Sequence, residues 1–218
     1  MPTVTDYNSL AKAITDVQHR QDLQAFQDYF IQAAQEQLQN DLFDLNFGNG
    51  VRFQENDYPP TPIANGSIPV PTDYLSPKIF MIQDGAGNQF PLIFKDPSWL
   101  YDRYPLQQAT GLPAYIARDS SSGTNLFVFG PYPDSAYTVL GTYYQAASLL
   151  TTQTPTNWMT VSCPWALHAA CMVEVGKFLI DDELIARWTP VYQGRLKALV
   201  DADKAERWAD ATMQIETA

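Results

Sequence analysis

Apolar positions recur along this chain with two different periods, and the changes of period divide it into three stretches. In DYNSLAKAITDVQHR, Leu10, Ala13, Ile14 and Val17 fall at i, i+3, i+4 and i+7, one face of a helix, with Thr5 or Asp6 placed to cap its start. A second helix is predicted over QDLQAFQDYFIQAAQEQLQNDL, capped by Asp22. Leu23, Phe26, Phe30 and Ala33 form its stripe, and Gln and Glu fill the remaining positions as good helix formers. Two helices in such close succession imply an αα-hairpin.

From about Phe47 to Leu150 the period shortens. Most of the prolines and glycines lie here, between β-branched and aromatic runs, which is strand and turn sequence. PKIFMIQDGAGNQFPLIFKD places KIFMI and FPLIF on either side of a turn-rich DGAGNQ, and NLFVFGPYPDSAYTVLGTYYQ repeats the arrangement with LFVF and YTVLGTYY. Both are predicted as antiparallel hairpins. The prolines of ENDYPPTPIANGSIPVPTDY assign that segment to an extended loop or an edge strand, because proline cannot donate to a ladder.

Helical spacing returns from about Ser162 to Ala211. Ser162 is placed to cap, and Pro164 falls in the first turn, where a missing N–H costs nothing. Leu167, Cys171, Val175 and Phe178 share one face. Asp181 and Asp182 open the next helix, along which Ile185, Trp188, Tyr192, Leu196 and Leu199 keep helical spacing. Pro190 predicts a kink, or a short helix handing over to a longer one. The expected fold is α+β: a helical bundle built from the N- and C-terminal helices, with a β-rich antiparallel insertion. The predicted boundaries are 1–45 for the first helical part, 46–152 for the insertion, 153–211 for the second helical part and 212–218 for a C-terminal tail.

Composition narrows the classes of function. The 218 residues are 45% apolar and 13% aromatic, sufficient for a substantial core, and no run of about 18 apolar residues is present to span a membrane. The N-terminus lacks the basic start and apolar stretch of a signal peptide, so a cytosolic origin is expected. The net charge is -11, and the first 50 residues hold only Lys12 and Arg20 against seven acids. Gripping DNA requires several cations converging on phosphates, which this distribution does not supply. Acidity serves solubility, or forms a wall past which DNA slides without adhering.

PTNWMTVSCPWALHAACM is the densest chemistry in the chain, with Cys163, His168 and Cys171 inside nine residues. A zinc site needs three or four protein ligands, and the other histidine, His19, is far away in sequence. A nucleophile at a helix N-terminus is the second reading of Cys163. Its neighbours Pro, Trp, Ala and Leu favour small buried thiols beside a histidine held by the bundle. Asp181, Asp182 and Glu183 read as helix-start acids before they read as hydrolytic carboxylates. Asp96, Asp102 and Arg118 with Trp99, Tyr101 and Tyr104 supply the makings of a sugar cleft, two carboxylates beside aromatic platforms. GxGxxG, P-loop, HExxH and GxSxG motifs are absent from the sequence. No catalytic, cofactor-binding or metal residue is assigned. Trp208, Met213 and Ile215, on a stretch too short for a core of its own, are the candidate interface residues, expected to dock on a neighbouring chain.

Several phrases resemble the head-to-tail adaptor (connector) proteins of tailed bacteriophages. SLAKAITDVQHRQDLQAFQDYFIQAAQEQLQNDL resembles that family's opening pair of helices, and FVFGPYPDSAYTVLGTYYQAASLL its strand, Gly-P-x-P-D turn and following strand. PTNWM and DDELIARWTPVYQGRLKALVDADKAERW resemble its T-N-W-L segment and its last helix, from which Pro190 and Gly194 are departures. The resemblance implies a structural virion protein without catalytic residues. It implies docking on the portal protein as a twelvefold ring of identical copies, and a platform for a tail or nozzle protein. It further implies a channel for genomic DNA, a place in the neck between capsid and tail, and assembly in the host cytoplasm. The rival reading from another class is a glycan-binding or glycan-hydrolysing tail module.

Overall fold

The structure, a computed structural model, describes residues 4–18, 20–46, 50–105, 109–120 and 123–209. The chain divides into two compact units. One takes both ends, Met1–Gln54 and Ala146–Ala218, and the other is Glu55–Gln145. The fold is α+β, with helices at the two ends and an antiparallel β-rich middle.

In the helical unit, α1 (Tyr7–Gln18) starts where the Asp6 carboxylate accepts from the Ser9 N–H at 2.8 Å. Leu10, Ala13 and Ile14 are buried as their spacing predicts, whereas Val17 is exposed. The second helix opens differently from expectation. Gln21–Phe26 is a 3-10 turn, and α2 proper is Gln27–Leu45. Asp22 caps nothing, because its carboxylate pairs with Arg20 at 2.6 Å. The buried face of α2 is Phe30, Ile31, Ala34, Leu38 and Leu42, with Phe26 left outside it.

Three helices follow the β-rich segment: α4 (Trp158–Ser162), α5 (Pro164–Leu179) and α6 (Asp182–Ala209). The short α3 (Pro97–Arg103) belongs to the other unit. Asn157 caps α4 in a reciprocal box: its side chain accepts from Met159 and Thr160 N–H groups, and the Thr160 hydroxyl accepts from the Asn157 N–H at 3.0 Å. Ser162 therefore ends a helix instead of capping one, and Pro164 occupies the first turn of α5 as predicted. Helix α5 packs against α1, α2, α4 and α6, which explains why every residue from Ala166 to Gly176 is buried. Its Gly176 allows α6 to approach closely, since a Cβ there would lie 2.8 Å from Ile185 Cγ1. Helix α6 runs through Pro190 without a break, correcting the expected handover. The proline is exposed, so the carbonyl it leaves unbonded can be hydrated.

As the chain re-enters the helical unit, α2 holds it through two buried or half-buried glutamines one turn apart. Gln35 accepts from the Leu150 N–H at 3.0 Å and donates to the Ser148 carbonyl at 3.0 Å, and Gln39 accepts from the Ala147 N–H at 2.9 Å.

The second unit contains two four-stranded sheets. One has the order β1 (Glu55–Pro62), β10 (Thr138–Gln145), β3 (Tyr74–Gln83), β4 (Gln89–Pro91), antiparallel throughout. The other has the order β2 (Ser67–Pro69), β8 (Leu126–Gly130), β7 (Tyr115–Asp119), β5 (Ile93–Phe94), with β5 and β7 parallel. A small parallel pair joins β6 (Thr110–Gly111) to β9 (Tyr132–Pro133). The proline-rich segment supplies the edge strands β1 and β2, as its composition requires. Phe80, Ile82 and Val139 from one sheet and Ile68, Ile116 and Phe127 from the other share a single apolar cluster, with the Phe80 and Phe127 rings 5.5 Å apart. Fully burying each such side chain contributes about 1.5–3 kcal/mol.

The first predicted hairpin forms between β3 and β4, its loop held by Asp84 accepting from Ala86 and Asn88 N–H groups at 2.9 Å each. Its second run then divides at Leu92, and β5 continues in the other sheet. The second predicted hairpin is not one. Both edges of β8 are taken by β2 and β7, and both edges of β10 by β1 and β3, so the two runs lie in different sheets.

Candidate interaction surfaces

The Cys-His cluster is part of the packing. Cys163 sits at the α4–α5 junction, where burial pushes its thiol up to about 12. Cys171 is fully buried and its thiol is likewise raised, first by burial and then by Glu174. Neither is available as thiolate near neutral pH. The His168 ring lies edge-on to Trp165 and Trp188, at 6.1 and 5.4 Å between centroids. Burial lowers its pKa, opposed by a hydrogen bond with the Ala13 backbone. Among the described residues no group of three or more His, Cys, Asp or Glu is arranged to hold a metal ion. His19 lies outside the described residues.

The acidic candidates are engaged in helix starts. Asp181 accepts from the Leu184 N–H at 3.0 Å, while Asp182 and Glu183 are exposed in the first turn of α6. Asp96 caps α3 by accepting from the Ser98 N–H at 2.9 Å, and a hydrogen bond from the Ser98 hydroxyl, followed by that N–H, holds its carboxyl below the usual range. Arg118 lies over the Tyr74 ring at 5.5 Å, Tyr101 donates to Asp119, and Trp99 packs edge-on to Tyr115 at 5.0 Å. Asp96 and Arg118 are thus committed to a cap and a stack, and Asp102 is exposed on α3.

Of the candidate interface residues, Met213 and Ile215 lie outside the described residues. Trp208 falls in the last turn of α6, with its side chain also outside them.

Two other surfaces of the helical unit stand out. The first is an aromatic tip. Phe26, Tyr29 and Phe178 are 43%, 57% and 43% exposed, although Phe178 contacts Phe26 and Phe30 with ring centroids 4.9 and 5.2 Å apart. Two residues beyond Phe178, Ile180 is 86% exposed. It closes a Schellman motif, with its own N–H on the Lys177 carbonyl at 3.3 Å and the Asp181 N–H on the Gly176 carbonyl at 3.0 Å. That position demands left-handed backbone, and Ile180 adopts φ 53° and ψ 44°. Glycine is the ordinary occupant. A β-branched residue there is strained and, this exposed, recovers almost nothing through packing within the chain.

The second surface is a groove of about 770 Å³ walled by α2, α5 and α6. Leu45, Val173, Ile185, Leu196 and Val200 give it an apolar floor, and Asp41, Asp44, Lys177, Lys197, Asp201 and Lys204 line it with charge. Asp41 accepts from the Tyr192 hydroxyl at 2.6 Å, and Lys177 bonds Glu174 at 2.6 Å. Three of the chain's six lysines therefore meet along one groove.

Periodicity assigned Phe26 and Phe178 to the core and gave no sign of the groove. The one available signal for the tip was the Ile-Asp pair between two helices, where glycine would be the usual stop.

Asp96 and Asp181 thus serve as caps and both thiols are buried, while the aromatic tip and the lined groove lie on the helical unit. One family model, SU10 adaptor protein, matches residues 5–215. The chain belongs to this family of phage head-to-tail adaptors. No curated protein matches the sequence. None of the helices is long and apolar enough to cross a membrane, among the described residues.

Proposed function

We propose that this adaptor docks on the portal ring as a ring of twelve copies of itself, links the capsid to the tail, and acts by binding without catalysis. It offers a platform to a tail or nozzle protein and leaves a channel through which genomic DNA passes without specific binding. Its place is the virion neck, reached from the host cytoplasm during assembly. Trp208, Met213 and Ile215 belong to its interface with a neighbouring subunit or the portal. Membership of the adaptor family supports this reading, and so does the net charge of -11, since a wall with few cations releases few counterions from DNA.

The observation that carries the proposal is the aromatic tip ending in Ile180. Strained backbone and exposed apolar area both cost stability in the isolated chain, and assembly that covers them accounts for both. The test is co-sedimentation of the chain with purified portal rings. The wild type is expected to travel with the portal, and a Phe178→Ser/Ile180→Ser variant to remain in the supernatant with an unchanged far-ultraviolet spectrum. A variant that binds as the wild type does would remove the tip from the assembly surface.

A further inference from the structure

Helix α5 carries an apolar feature at each end, and the two differ in charge. At its C-terminal end stands the tip, where Phe178 and Ile180 are exposed and Ile180 is held in left-handed backbone. Residues 174–187 hold four acids against two cations, and one of those cations, Lys177, is bonded to Glu174. Asp182 and Glu183, exposed two and three residues beyond Ile180, make no ion pair among the described residues. At the N-terminal end of α5 lies a pocket of about 200 Å³ between α4, α5 and α6. Pro164, Trp165 and Ala166 line it from α5, and Ala198 and Leu199 line it from α6, one turn beyond Arg195. Among the described residues Arg195 is the one charged group of that lining, and it too makes no ion pair. The start of α5 adds the positive end of a helix dipole. In size the pocket suits a single side chain, since a cavity of about 150 Å³ takes a benzene ring.

We propose that the tip of one copy, led by Ile180, sits in this pocket of the next copy around the ring, with Asp182 and Glu183 facing Arg195. The inference rests on the ring reading above and names the two surfaces that meet when copies associate. A chain cannot fill its own pocket, because Pro164 and Leu179 stand about 23 Å apart along one continuous helix at the helical repeat. The contact sets apolar side chain against apolar lining and acid against cation, and it covers the isoleucine that the isolated chain leaves both strained and exposed. Since the two surfaces differ, the contact is heterologous. Repeated from copy to copy, it closes into a ring when the rotation permits. A copy seated on the portal is then held by its neighbours as well, so losing the tip weakens loading of the portal even where the tip touches no portal residue.

The experiment uses full-length chains and purified portal rings. A Cys163→Ala background removes the native thiol that lines the pocket. In it, one preparation carries Ala198→Cys on the pocket wall, and a second, with a size tag, carries Ile180→Cys; each is checked for the wild-type far-ultraviolet spectrum. The two are mixed, assembled on portal rings and oxidised. The expected product is a disulfide joining tagged to untagged chain. Placed in one chain, the same two substitutions are expected to give a ladder of covalent multimers and no internal link. Separately, Arg195→Glu is expected to raise the concentration needed for ring assembly roughly fivefold, the scale of an exposed charge pair, and Asp182→Lys with Glu183→Lys added in the same chain to restore it. Rings that form without the mixed disulfide, or at the wild-type concentration with Arg195→Glu, would overturn the assignment of tip to pocket and leave the ring reading standing. If the cysteine preparations form no rings, the charge reversal alone decides. If the wild type forms no ring on the portal, the ring reading fails and this inference falls with it.

Discussion

Replacing Ile180 with glycine is expected to stabilise the isolated protein and to weaken its assembly. Left-handed backbone costs a non-glycine residue about 1–2 kcal/mol, and Ile180 holds it at φ 53° in a fully bonded Schellman motif. Glycine relieves that strain but gives back about 0.5–1 kcal/mol through the greater freedom of the unfolded chain. Because Ile180 is 86% exposed, removing its side chain loses only about 0.2–0.4 kcal/mol of burial. The balance is a gain of about 0.5 kcal/mol, read as a rise of about 1–2 °C in a thermal melt followed at 222 nm, where the helical unit dominates. Assembly should move the other way. An isoleucine fully covered on docking is worth about 1.5–3 kcal/mol, so affinity for portal rings is expected to fall about tenfold or more. A variant that melts at least 3 °C below the wild type would show that Ile180 packs within its own chain. Undiminished portal affinity would show that assembly does not cover it.

Three further outcomes follow from the packing of α5. Gly176→Ala places a Cβ 2.8 Å from Ile185 Cγ1 and 3.2 Å from its backbone nitrogen, and should cost about 1–3 kcal/mol by urea titration; an unchanged midpoint would mean that α6 yields freely. With Cys163 pushed up to about 12 and Cys171 completely buried, a thiol reagent at pH 8 should label neither cysteine in the native protein and both in denaturant. Rapid native labelling would contradict their burial. Burial lowers the pKa of His168, so the unfolded chain binds the proton more readily. Stability is full above the ordinary imidazole value and declines as pH falls below it, and the same decline in His168→Gln would assign the effect to other groups.

Much of this architecture was legible in local pattern, because local pattern records which faces are apolar. Leu10, Ala13 and Ile14 are buried at their predicted spacing, and Pro59, Pro60 and Pro69 sit on edge strands where their missing N–H groups do no harm. Pattern does not record what covers a face. Val17, Phe26 and Phe178 keep the core period and are exposed, and that difference depends on neighbours distant in sequence. Adjacency misled in the β-rich unit for the same reason: LFVF and YTVLGTYY are close in the chain, yet each finds both of its edges filled by other strands. Gln35 and Gln39 read as helix-forming surface residues, but the backbone of residues 147–150 needs partners as it passes α2, and the glutamines supply them. The tip was hidden because Ile180 violates the local rule for a helix stop. A position where local preference and observed backbone disagree is where function is to be sought.

Closure of adaptor copies into a ring on the portal, as proposed above, can be seen by electron microscopy of portal particles mixed with excess chain. The expected image is an added annular layer coaxial with the portal, with twelve subunits in class averages and an open centre. Portal particles that gain no layer, or that gain isolated subunits at scattered positions around the rim, would contradict it.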